Sequence, residues 1–447
     1  MKTELFGETD GVRAKVGEQP LRPATMRRFG RTMAKYYGEN ATIWIGRDTR
    51  ESGVWMEDEI VKGGKEAGLR FYEAGILPTP ALSKIVGESG NQGGIMLTAS
   101  HNPASDNGIK LFRADGEKLS KAEELAFEKI YYGEAEDADR ELPQVKIDEV
   151  RAEQGALALY VEPLQKYFGD LRLDGELLYD SASGAGHDFD MKVLAAFGLQ
   201  VERLSPAPNG RNINDGYGAL HPEKLSEAAK AQGCWGVAMD GDADRALLVD
   251  ETGRIWNGDR IISLLAMDLQ GKGQLPKNGV VLTEYSNLAT VQFLTKQGIR
   301  VEKVVNGDRL VAQKCDELGF VLGGEMSGHV IYTPWLSSSD GCFVALMVAR
   351  LLHERQCRLA DLWPDYVDMP SKQWAIQVRE KRPLAEMPAW TAQLAAIEQE
   401  LQGRGRVFCR YSGTENKLRI MVEADDAAVV ERSGEALAEI IKKEVGA

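Results

Sequence analysis

The amino-acid sequence predicts an α/β fold of several domains: three α/β units with mixed or parallel sheets, then a C-terminal α+β unit. With 447 residues, the chain is too long for one ordinary hydrophobic core. Short apolar runs alternate with helix-like stretches over most of its length, as is typical of α/β domains. The last part groups its strands and helices differently, which indicates a second kind of domain.

The three α/β units share one local pattern, in which a short apolar run ends directly in a loop rich in Gly, Asp and Ser. Ligands of such sheets bind at the carboxyl ends of strands, so these loops are the places to look for function. The units are predicted over 1–153, 154–255 and 256–368. The strand-to-loop stretches are 41–53, 93–103, 176–186, 235–245 and 279–287. Helix-like stretches are 55–67, 78–87, 156–168, 188–197, 223–232, 287–297 and 309–317.

The last unit is predicted over residues 369–447. Its pattern places three strands and two helices in an order that differs from strict alternation, which favours an α+β domain. The strand-like stretches are 374–379, 406–411 and 418–423. The helical stretches are 388–402 and 425–443.

Composition excludes several functional classes. The formal net charge of −14 argues against a general nucleic-acid binder, which normally carries a basic surface. The five cysteines are scattered without a C-x-x-C pair, so neither a disulfide framework nor a zinc site is indicated. The opening residues lack the apolar core of a secretory signal, and no apolar run approaches the ~18 residues of a membrane span. We therefore predict a cytoplasmic protein without nucleic-acid or membrane partners.

Three aspartates, Asp240, Asp242 and Asp244, follow the apolar run "GVAM" at two-residue spacing. Carboxylates this close repel one another unless a cation neutralises them, and hard oxygen ligands suit Mg²⁺ or Ca²⁺. A solvated acidic turn is the alternative for this motif taken alone. An EF-hand is another, but Arg245 stands where its loop needs glycine, and "ALLVD" indicates a strand. An incomplete Mg²⁺ site finished by a phosphate oxygen fits better.

The loop "TASHNP" holds Ser100 and His101. A loop serine is usually a cap or a turn former, and the absence of a G-x-S-x-G elbow leaves a hydrolase triad poorly supported. A phosphorylated Ser100 would supply the oxygen that the aspartate cluster lacks. Its phosphate would carry nearly two negative charges, so a metal between it and three aspartates would be required.

Two further Gly-rich loops carry groups suited to binding. In "GGEMSGH", Glu325, Ser327 and His329 are suitable for holding sugar hydroxyls. The second loop, "CRYSGTENKLR", has backbone N–H groups, hydroxyls and arginines suited to phosphate. Its candidate residues are Arg410, Ser412, Gly413, Thr414 and Arg419. For each loop an ordinary turn is the alternative. Cations in two earlier loops are equally well explained by surface charge; they are Arg13, Arg47 and Arg50.

Taken together, the four loops resemble those of the α-D-phosphohexomutase superfamily, in that family's order and over nearly the whole chain. The resemblance implies four domains around one central cleft, each giving one loop. It implies one Mg²⁺ per chain on Ser100 and the three aspartates, phosphorylation of Ser100, a phosphosugar substrate and a sugar bisphosphate activator. The family also suggests a homodimer.

Within the superfamily, "NINDGYGALHPE" at 212–223 and Asp308 in "NGDRLV" resemble the amino-sugar subgroup. This resemblance implies reversible conversion of glucosamine 6-phosphate to glucosamine 1-phosphate. Phosphorylated Ser100 would donate its phosphoryl group, and a bisphosphorylated sugar would reorient in the cleft and return the other phosphate.

The resemblance also implies roles for the cations and the histidine near Ser100. Lys110 and His101 are candidates for proton transfer or charge stabilisation. A lysine would need a lowered pKa to act as a base, and nearby cations would supply that shift. Arg245 would add positive charge at the metal loop, and Arg13 would support the serine loop.

Three other functions stay open. Met326 stands where the amino-sugar subgroup tends to carry Gln or Asn, and it favours a phosphomannomutase/phosphoglucomutase of broad specificity. A non-catalytic phosphosugar-binding protein would retain the scaffold, but it should have lost Ser100 or an aspartate. A calcium-binding module is a distant third.

Overall fold

The computed structural model describes residues 5–7, 11–133, 151–152, 155–412 and 416–447, and only the backbone of 151–152. The strands of these residues form four sheets, one in each predicted unit. The predicted fold class is confirmed. The predicted domain boundaries stay a proposal, and the second sheet runs to Trp256, one residue past the boundary at 255.

The first sheet is mixed. Its strands are β1 (Val12–Lys15), β2 (Thr42–Arg47), β3 (Arg70–Ile76), β4 (Gly93–Leu97), β5 (Asp106–Arg113) and β6 (Arg151–Ala152). Its helices are α1 (Pro23–Tyr37), α2 (Glu51–Glu66), α3 (Thr79–Ser89) and α4 (Lys121–Gly133). The strand order is β1-β5-β4-β2-β3-β6. Every residue of β4 is buried, as expected for a central strand covered on both faces.

The second sheet begins after α5 (Ala156–Phe168). Its strands are β7 (Gly175–Asp180), β8 (Leu199–Arg203), β9 (Gly236–Met239), β10 (Ala246–Val249) and β11 (Ile255–Trp256). Its other helices are α6 (Gly186–Ala196) and α7 (Glu223–Gln232). The strand order is β11-β10-β9-β7-β8. The strand predicted from "ALLVD" is β10, where an EF-hand would continue as a helix.

The third sheet has the order β13-β12-β14-β15. Those strands are β12 (Gly279–Thr283), β13 (Arg300–Val304), β14 (Leu322–Gly324) and β15 (Val330–Tyr332). The helices of this unit are α8 (Gly258–Gly271), α9 (Leu288–Lys296), α10 (Asp308–Leu318) and α11 (Gly341–Arg355).

The fourth sheet is wholly antiparallel, with strand order β16-β18-β17. The strands are β16 (Ser371–Gln377), β17 (Gly405–Tyr411) and β18 (Lys417–Ala424). The helices are α12 (Pro388–Leu401) and α13 (Ala427–Glu444). No helix of the described residues is both long and apolar enough to cross a bilayer.

The hydrophobic core does not follow the four units. One cluster of buried apolar side chains continues through the first three, with Trp44, Phe197 and Phe343 among its members. The fourth unit has a separate core around Trp390 and Leu437. The first three units therefore pack as one body, to which the last is joined.

All four predicted functional loops join a strand to an antiparallel neighbour. The pairs are β4 with β5, β9 with β10, β14 with β15, and β17 with β18. The sequence pattern predicts loops at strand ends, but not that the chain returns beside the same strand. Ladder hydrogen bonds therefore hold the strand residues at both ends of each loop.

Candidate active site

Ser100 lies in the loop between β4 and β5 and is 2% exposed. Its φ of +50° is in the left-handed region, which is uncommon for a residue other than glycine. The hydroxyl of Thr98 holds this turn by accepting from Ser100 N at 2.9 Å and donating to Asp48 Oδ2 at 2.7 Å. Such a backbone conformation persists only where the surroundings over-determine it, which is common at functional sites.

Asp240, Asp242 and Asp244 lie in the loop between β9 and β10 and are buried. One carboxylate oxygen of each lies within 4.8 Å of the others. The hydroxyl of Ser100 donates to Asp240 Oδ2 at 2.8 Å. The loops approach so closely that a Cβ at Gly241 would lie 2.5 Å from the Ser100 carbonyl oxygen. The structure thus brings together the two loops that the metal hypothesis linked.

Lys110, on β5, supplies positive charge to this cluster. Its Nζ donates to Asp242 Oδ2 at 2.7 Å and to Asp244 Oδ2 at 3.2 Å. Burial opposes the ammonium charge, but the Asp242 and Asp244 carboxylates outweigh it and raise the pKa of Lys110. The lowered pKa that a basic Lys110 would need is therefore not found in this structure, which favours the other predicted role, charge stabilisation.

The aspartates themselves show whether a cation fits. Burial, followed by repulsion from Asp244 and Asp242, raises the pKa of Asp240 to about 7. Burial acts in the same direction on the other two, yet Lys110 keeps the pKa of Asp242 and of Asp244 low. Asp242 Oδ1 is buried without a hydrogen-bond partner among the described residues. A set of hard oxygen donors with an unsatisfied oxygen and excess negative charge fits Mg²⁺.

His101 and two arginines surround the serine. His101 Nδ1 lies 3.4 Å from Ser100 Oγ. Burial, then the charges of Arg245 and Arg13, lowers the pKa of His101 to about 4, so the imidazole is neutral. Arg13 Nη1 donates to the Ala99 carbonyl at 3.5 Å, which places this guanidinium against the serine loop.

The loop between β14 and β15, which is predicted to bind sugar hydroxyls, is linked to the loop of the three aspartates through His329. Its Nδ1 lies 2.9 Å from Glu325 Oε2, and its Nε2 lies 3.2 Å from Asp244 Oδ1. The Ser327 hydroxyl also donates to Glu325 Oε2, at 2.9 Å. Burial and Arg245 oppose a charge on His329, but Asp244 and Glu325 raise its pKa to about 10. His329 is therefore an imidazolium between two carboxylates.

The loop that is predicted to bind phosphate connects β17 and β18. Arg410 and Arg419 are opposite each other in the strand register, so both side chains are on one face of the sheet. Arg410 Nε donates to the Tyr285 hydroxyl at 3.2 Å, which joins the hairpin to the third unit. Ser412 N donates to the Lys417 carbonyl at 2.8 Å. The predicted Gly413 and Thr414 lie outside the described residues.

Sequence reasoning missed several residues that hold these loops. Arg50 is wholly buried, so the alternative of plain surface charge does not apply to it. Thr79 donates its hydroxyl to Asp242, and Lys118 donates to Asp308 Oδ2 at 2.7 Å. The last two contacts join different units, and no local sequence pattern predicts them. Only the Asp48–Arg50 spacing directly after a strand carried a signal.

The chain matches three parts of the phosphoglucomutase/phosphomannomutase family. Residues 3–138 match alpha/beta/alpha domain I, residues 257–368 match alpha/beta/alpha domain III, and residues 375–440 match the C-terminal domain. A protein of Anaeromyxobacter sp. (strain Fw109-5) named phosphoglucosamine mutase is 36% identical over 452 residues, covering 99% of this chain and 96% of the relative.

Solved structures share the fold. A phosphoglucomutase/phosphomannomutase family protein of Burkholderia thailandensis has a TM-score of 0.75 at 21% identity, covering 97% of this chain and 96% of that one. The N-acetylphosphoglucosamine mutase of Aspergillus fumigatus, in complex with GlcNAc-6P and magnesium, has a TM-score of 0.60 at 20% identity. That match covers 82% of this chain and 94% of the other.

Site and fold together define an enzyme that transfers phosphoryl groups on sugars. The chain belongs to the phosphoglucomutase/phosphomannomutase family, the α-D-phosphohexomutases, which confirms the resemblance drawn from its four loops. It is accordingly an intramolecular phosphotransferase of the isomerase class.

Proposed function

We propose that the chain interconverts glucosamine 6-phosphate and glucosamine 1-phosphate, the activity that the name phosphoglucosamine mutase describes in its relatives. The observation that carries the proposal is the Ser100 hydroxyl, 2.8 Å from Asp240 within a buried cluster of three carboxylates. A serine in that position can carry a phosphoryl group beside a metal.

Ser100 would be phosphorylated in the working enzyme. A sugar hydroxyl attacks the phosphorus, the bond from phosphorus to Ser100 Oγ breaks, and a bisphosphorylated sugar forms. After the sugar turns over, its other phosphate returns to Ser100 by the reverse step. A sugar bisphosphate would activate the enzyme because it phosphorylates an unmodified Ser100.

The donor set of Asp240, Asp242, Asp244 and the Ser100 phosphate would hold one Mg²⁺ per chain, which when bound supplies Lewis-acid charge to the phosphoryl oxygens. Lys110 lies against the same carboxylates and is proposed to stabilise negative charge on the phosphoryl group. His101, 3.4 Å from Ser100 Oγ, is proposed to assist proton transfer.

Two arginines and two further loops complete the proposal. Arg245 would add positive charge at the metal loop, and Arg13 would add positive charge at the serine loop. Glu325, Ser327 and His329 would bind sugar hydroxyls in both orientations. The phosphate that is not reacting would be held by Arg410, Ser412, Gly413, Thr414 and Arg419. Like charges directly opposite in a sheet repel, and a phosphate between Arg410 and Arg419 would relieve that repulsion. A cytoplasmic location and a homodimer stay predictions.

The sugar can be tested by comparing kcat/KM for glucosamine 1-phosphate, glucose 1-phosphate and mannose 1-phosphate, with Mg²⁺ and glucose 1,6-bisphosphate present. We expect at least about tenfold preference for the amino sugar, a discrimination of ~1.4 kcal/mol in transition-state binding. A higher kcat/KM for mannose or glucose phosphate would favour the alternative, a phosphomannomutase/phosphoglucomutase. Met326, 39% exposed between Glu325 and Ser327, is the observation that keeps this alternative open.

A further inference from the structure

Two side chains from different units converge on the backbone of the serine loop. The carbonyl oxygens of Ser100 and Asn102 each accept two hydrogen bonds. Arg50 Nη2 donates to them at 3.0 and 2.8 Å. Asn214 Nδ2 donates to the same two oxygens at 2.9 and 3.0 Å. One turn of the loop is thus held from both sides.

Arg50 belongs to the same unit as the loop and is paired with Asp48, at 2.9 Å between Nε and Oδ2. Its Nη1 donates to the carbonyls of Pro103 and Asp106. The guanidinium therefore fixes the loop over several residues, as its planar set of donors allows. A variant that removes a wholly buried, paired charge would disturb folding as well, so Arg50 cannot report on position alone.

Asn214 reaches the loop from the second unit, within the stretch "NINDGYGALHPE" whose role the four-loop site leaves unexplained. Its φ is +60°, and its N–H donates to the Ala182 carbonyl at 2.9 Å. Just before this stretch the chain also contacts α2, where Glu51 N donates to the Gly210 carbonyl at 3.0 Å. The backbone of Asn214 is thus held in the second unit, and its side chain is held against the first unit.

The amide of Asn214 is used only as a donor. Carbonyl oxygens accept and cannot donate, so the NH₂ group, with two protons, must face the two loop carbonyls. The amide oxygen is buried without a hydrogen-bond partner among the described residues. Leaving a buried acceptor unsatisfied is unfavourable, so this placement is consistent with a function beyond packing.

The metal loop packs directly on this contact. A Cβ at Gly241 would lie 2.8 Å from Asn214 Nδ2 and 2.5 Å from the Ser100 carbonyl oxygen. Gly241 stands between Asp240 and Asp242, so the amide, the serine loop and the metal loop share one close contact. A movement of the Ser100 carbonyl therefore changes where its hydroxyl meets the carboxylates.

We propose that Asn214 is a positioning residue that, together with Arg50, sets Ser100 in line with the metal-binding carboxylates for phosphoryl transfer. It acts through backbone carbonyls and does not contact the reacting atoms. Because the amide belongs to the second unit, it fixes the position of the serine loop of the first unit relative to the aspartates of the second unit. The proposal rests on the function proposed above, in that Ser100 must carry the phosphoryl group.

The test compares Asn214→Asp and Asn214→Ala with the wild type. Aspartate keeps the shape but has no proton to donate when ionised, so it removes the donor specifically. Displacing a reacting group by about 1 Å costs on the order of 10²-fold in rate. We expect both variants to lower kcat by about 10- to 100-fold, with KM for the sugar phosphate within about threefold of wild type.

Asn212→Ala is the matched control. Asn212 lies in the same stretch, but its amide donates to Ser183 Oγ and to the Ala207 carbonyl, both within the second unit. We expect its kcat to stay within about twofold of wild type. A purely structural role for Asn214 would make kcat follow the thermal stability of all three variants, and that result would overturn the proposal.

A second readout does not depend on which sugar is the substrate. Unphosphorylated protein is mixed with glucose 1,6-bisphosphate and Mg²⁺, and phosphate on Ser100 is followed by rapid quench and intact mass. We expect slower phosphorylation in both Asn214 variants than in Asn212→Ala. Equal rates would overturn the positioning role. A wild type that prefers mannose phosphates would change the proposed substrate but leave this comparison of variants decisive.

Discussion

Two clusters of buried acidic side chains in this molecule are neutralised in opposite ways. The active-site cluster consists of Asp240, Asp242 and Asp244. The interface cluster consists of Asp190 on α6, in the second unit, and Asp340 at the start of α11, in the third. The side chains of both are buried, so burial alone does not distinguish a metal site from a structural contact.

The active-site cluster is accompanied by cations. Lys110 contacts two of its carboxylates, and His329 lies 3.2 Å from Asp244 Oδ1. These charges keep the pKa values of Asp242 and Asp244 low despite burial. Asp242 and Asp244 therefore stay ionised in a buried place, which is what a hard metal ion requires, whereas the pKa of Asp240 is raised to about 7.

The described partners of the interface cluster are neutral donors. The Tyr179 hydroxyl donates to Asp190 Oδ2 at 2.6 Å, and the Tyr160 hydroxyl donates to Asp340 Oδ2 at 2.7 Å. Burial raises the pKa of Asp340 and raises that of Asp190 to about 8. At Asp190 a proton therefore supplies the neutralisation. A buried carboxyl group thus becomes a metal ligand or a sealed hydrogen-bonding group according to the charges placed beside it.

The largest effect is expected at the serine that the active-site cluster faces. Ser100→Ala removes the oxygen that would carry the phosphoryl group, so turnover should fall by at least about 10³-fold. The fold should persist, because the loop is held by backbone contacts. Steady-state turnover and thermal unfolding measure the two effects. The control is Ser105→Ala, because Ser105 is an exposed serine of the same loop. Near-normal turnover of Ser100→Ala would contradict the phosphoserine assignment.

The response of the Tm to Mg²⁺ should distinguish the two clusters, and its effect is smaller than that of Ser100→Ala. An ion that binds only the folded state stabilises it by about 2.7 kcal/mol at 100 times its Kd. We expect Mg²⁺ to raise the Tm of the wild type and of Asp190→Asn, but not that of Asp242→Asn. Asp242→Asn should also lose about 10²-fold in kcat, because it weakens charge stabilisation at the phosphoryl group. A Tm response that survives in Asp242→Asn would place the ion elsewhere.

Features that depend on neighbouring residues could be predicted from the sequence, whereas features that depend on distant contacts could not. The helix predicted at 223–232 has those bounds as α7, because its periodicity is local. The helix predicted at 55–67 begins instead at Glu51, whose N–H donates to the Gly210 carbonyl of another unit. The start of that helix depends on a contact that no neighbouring residue reveals.

The same distinction applies to the site. The proximity of Ser100 to the three aspartates could be predicted, since each group directly follows a strand and the aspartate spacing indicates a cation site that a phosphate would complete. For Arg50 the spacing from Asp48 after a strand was a local signal, but it did not show that the side chain is buried, because an arginine in a polar loop is usually exposed. Only the fold shows the carbonyls to which Arg50 donates. Asn214 contacts a loop more than one hundred positions earlier in the chain, and its role has no local signature.

The smallest effect, on stability alone, concerns the interface cluster. The pKa of Asp190 is raised to about 8 in the folded protein, whereas an unfolded aspartate titrates near 4. Between those values the folded state binds more protons than the unfolded state, so this group makes stability fall as the pH rises. Asp190→Asn cannot titrate and should lack that decline, which is at most about 1.4 kcal/mol per pH unit.

Denaturant unfolding of wild type and Asp190→Asn from pH 5 to pH 8 measures this difference, with turnover expected to match at neutral pH. Asp188→Asn is the control on the same helix: its carboxylate is 69% exposed and pairs with Arg203, so its stability profile should parallel that of the wild type. If Asp190→Asn instead keeps the wild-type slope, Asp190 is ionised in the folded protein rather than protonated. The contrast with the active-site cluster would then fail, because both clusters would hold ionised carboxylates.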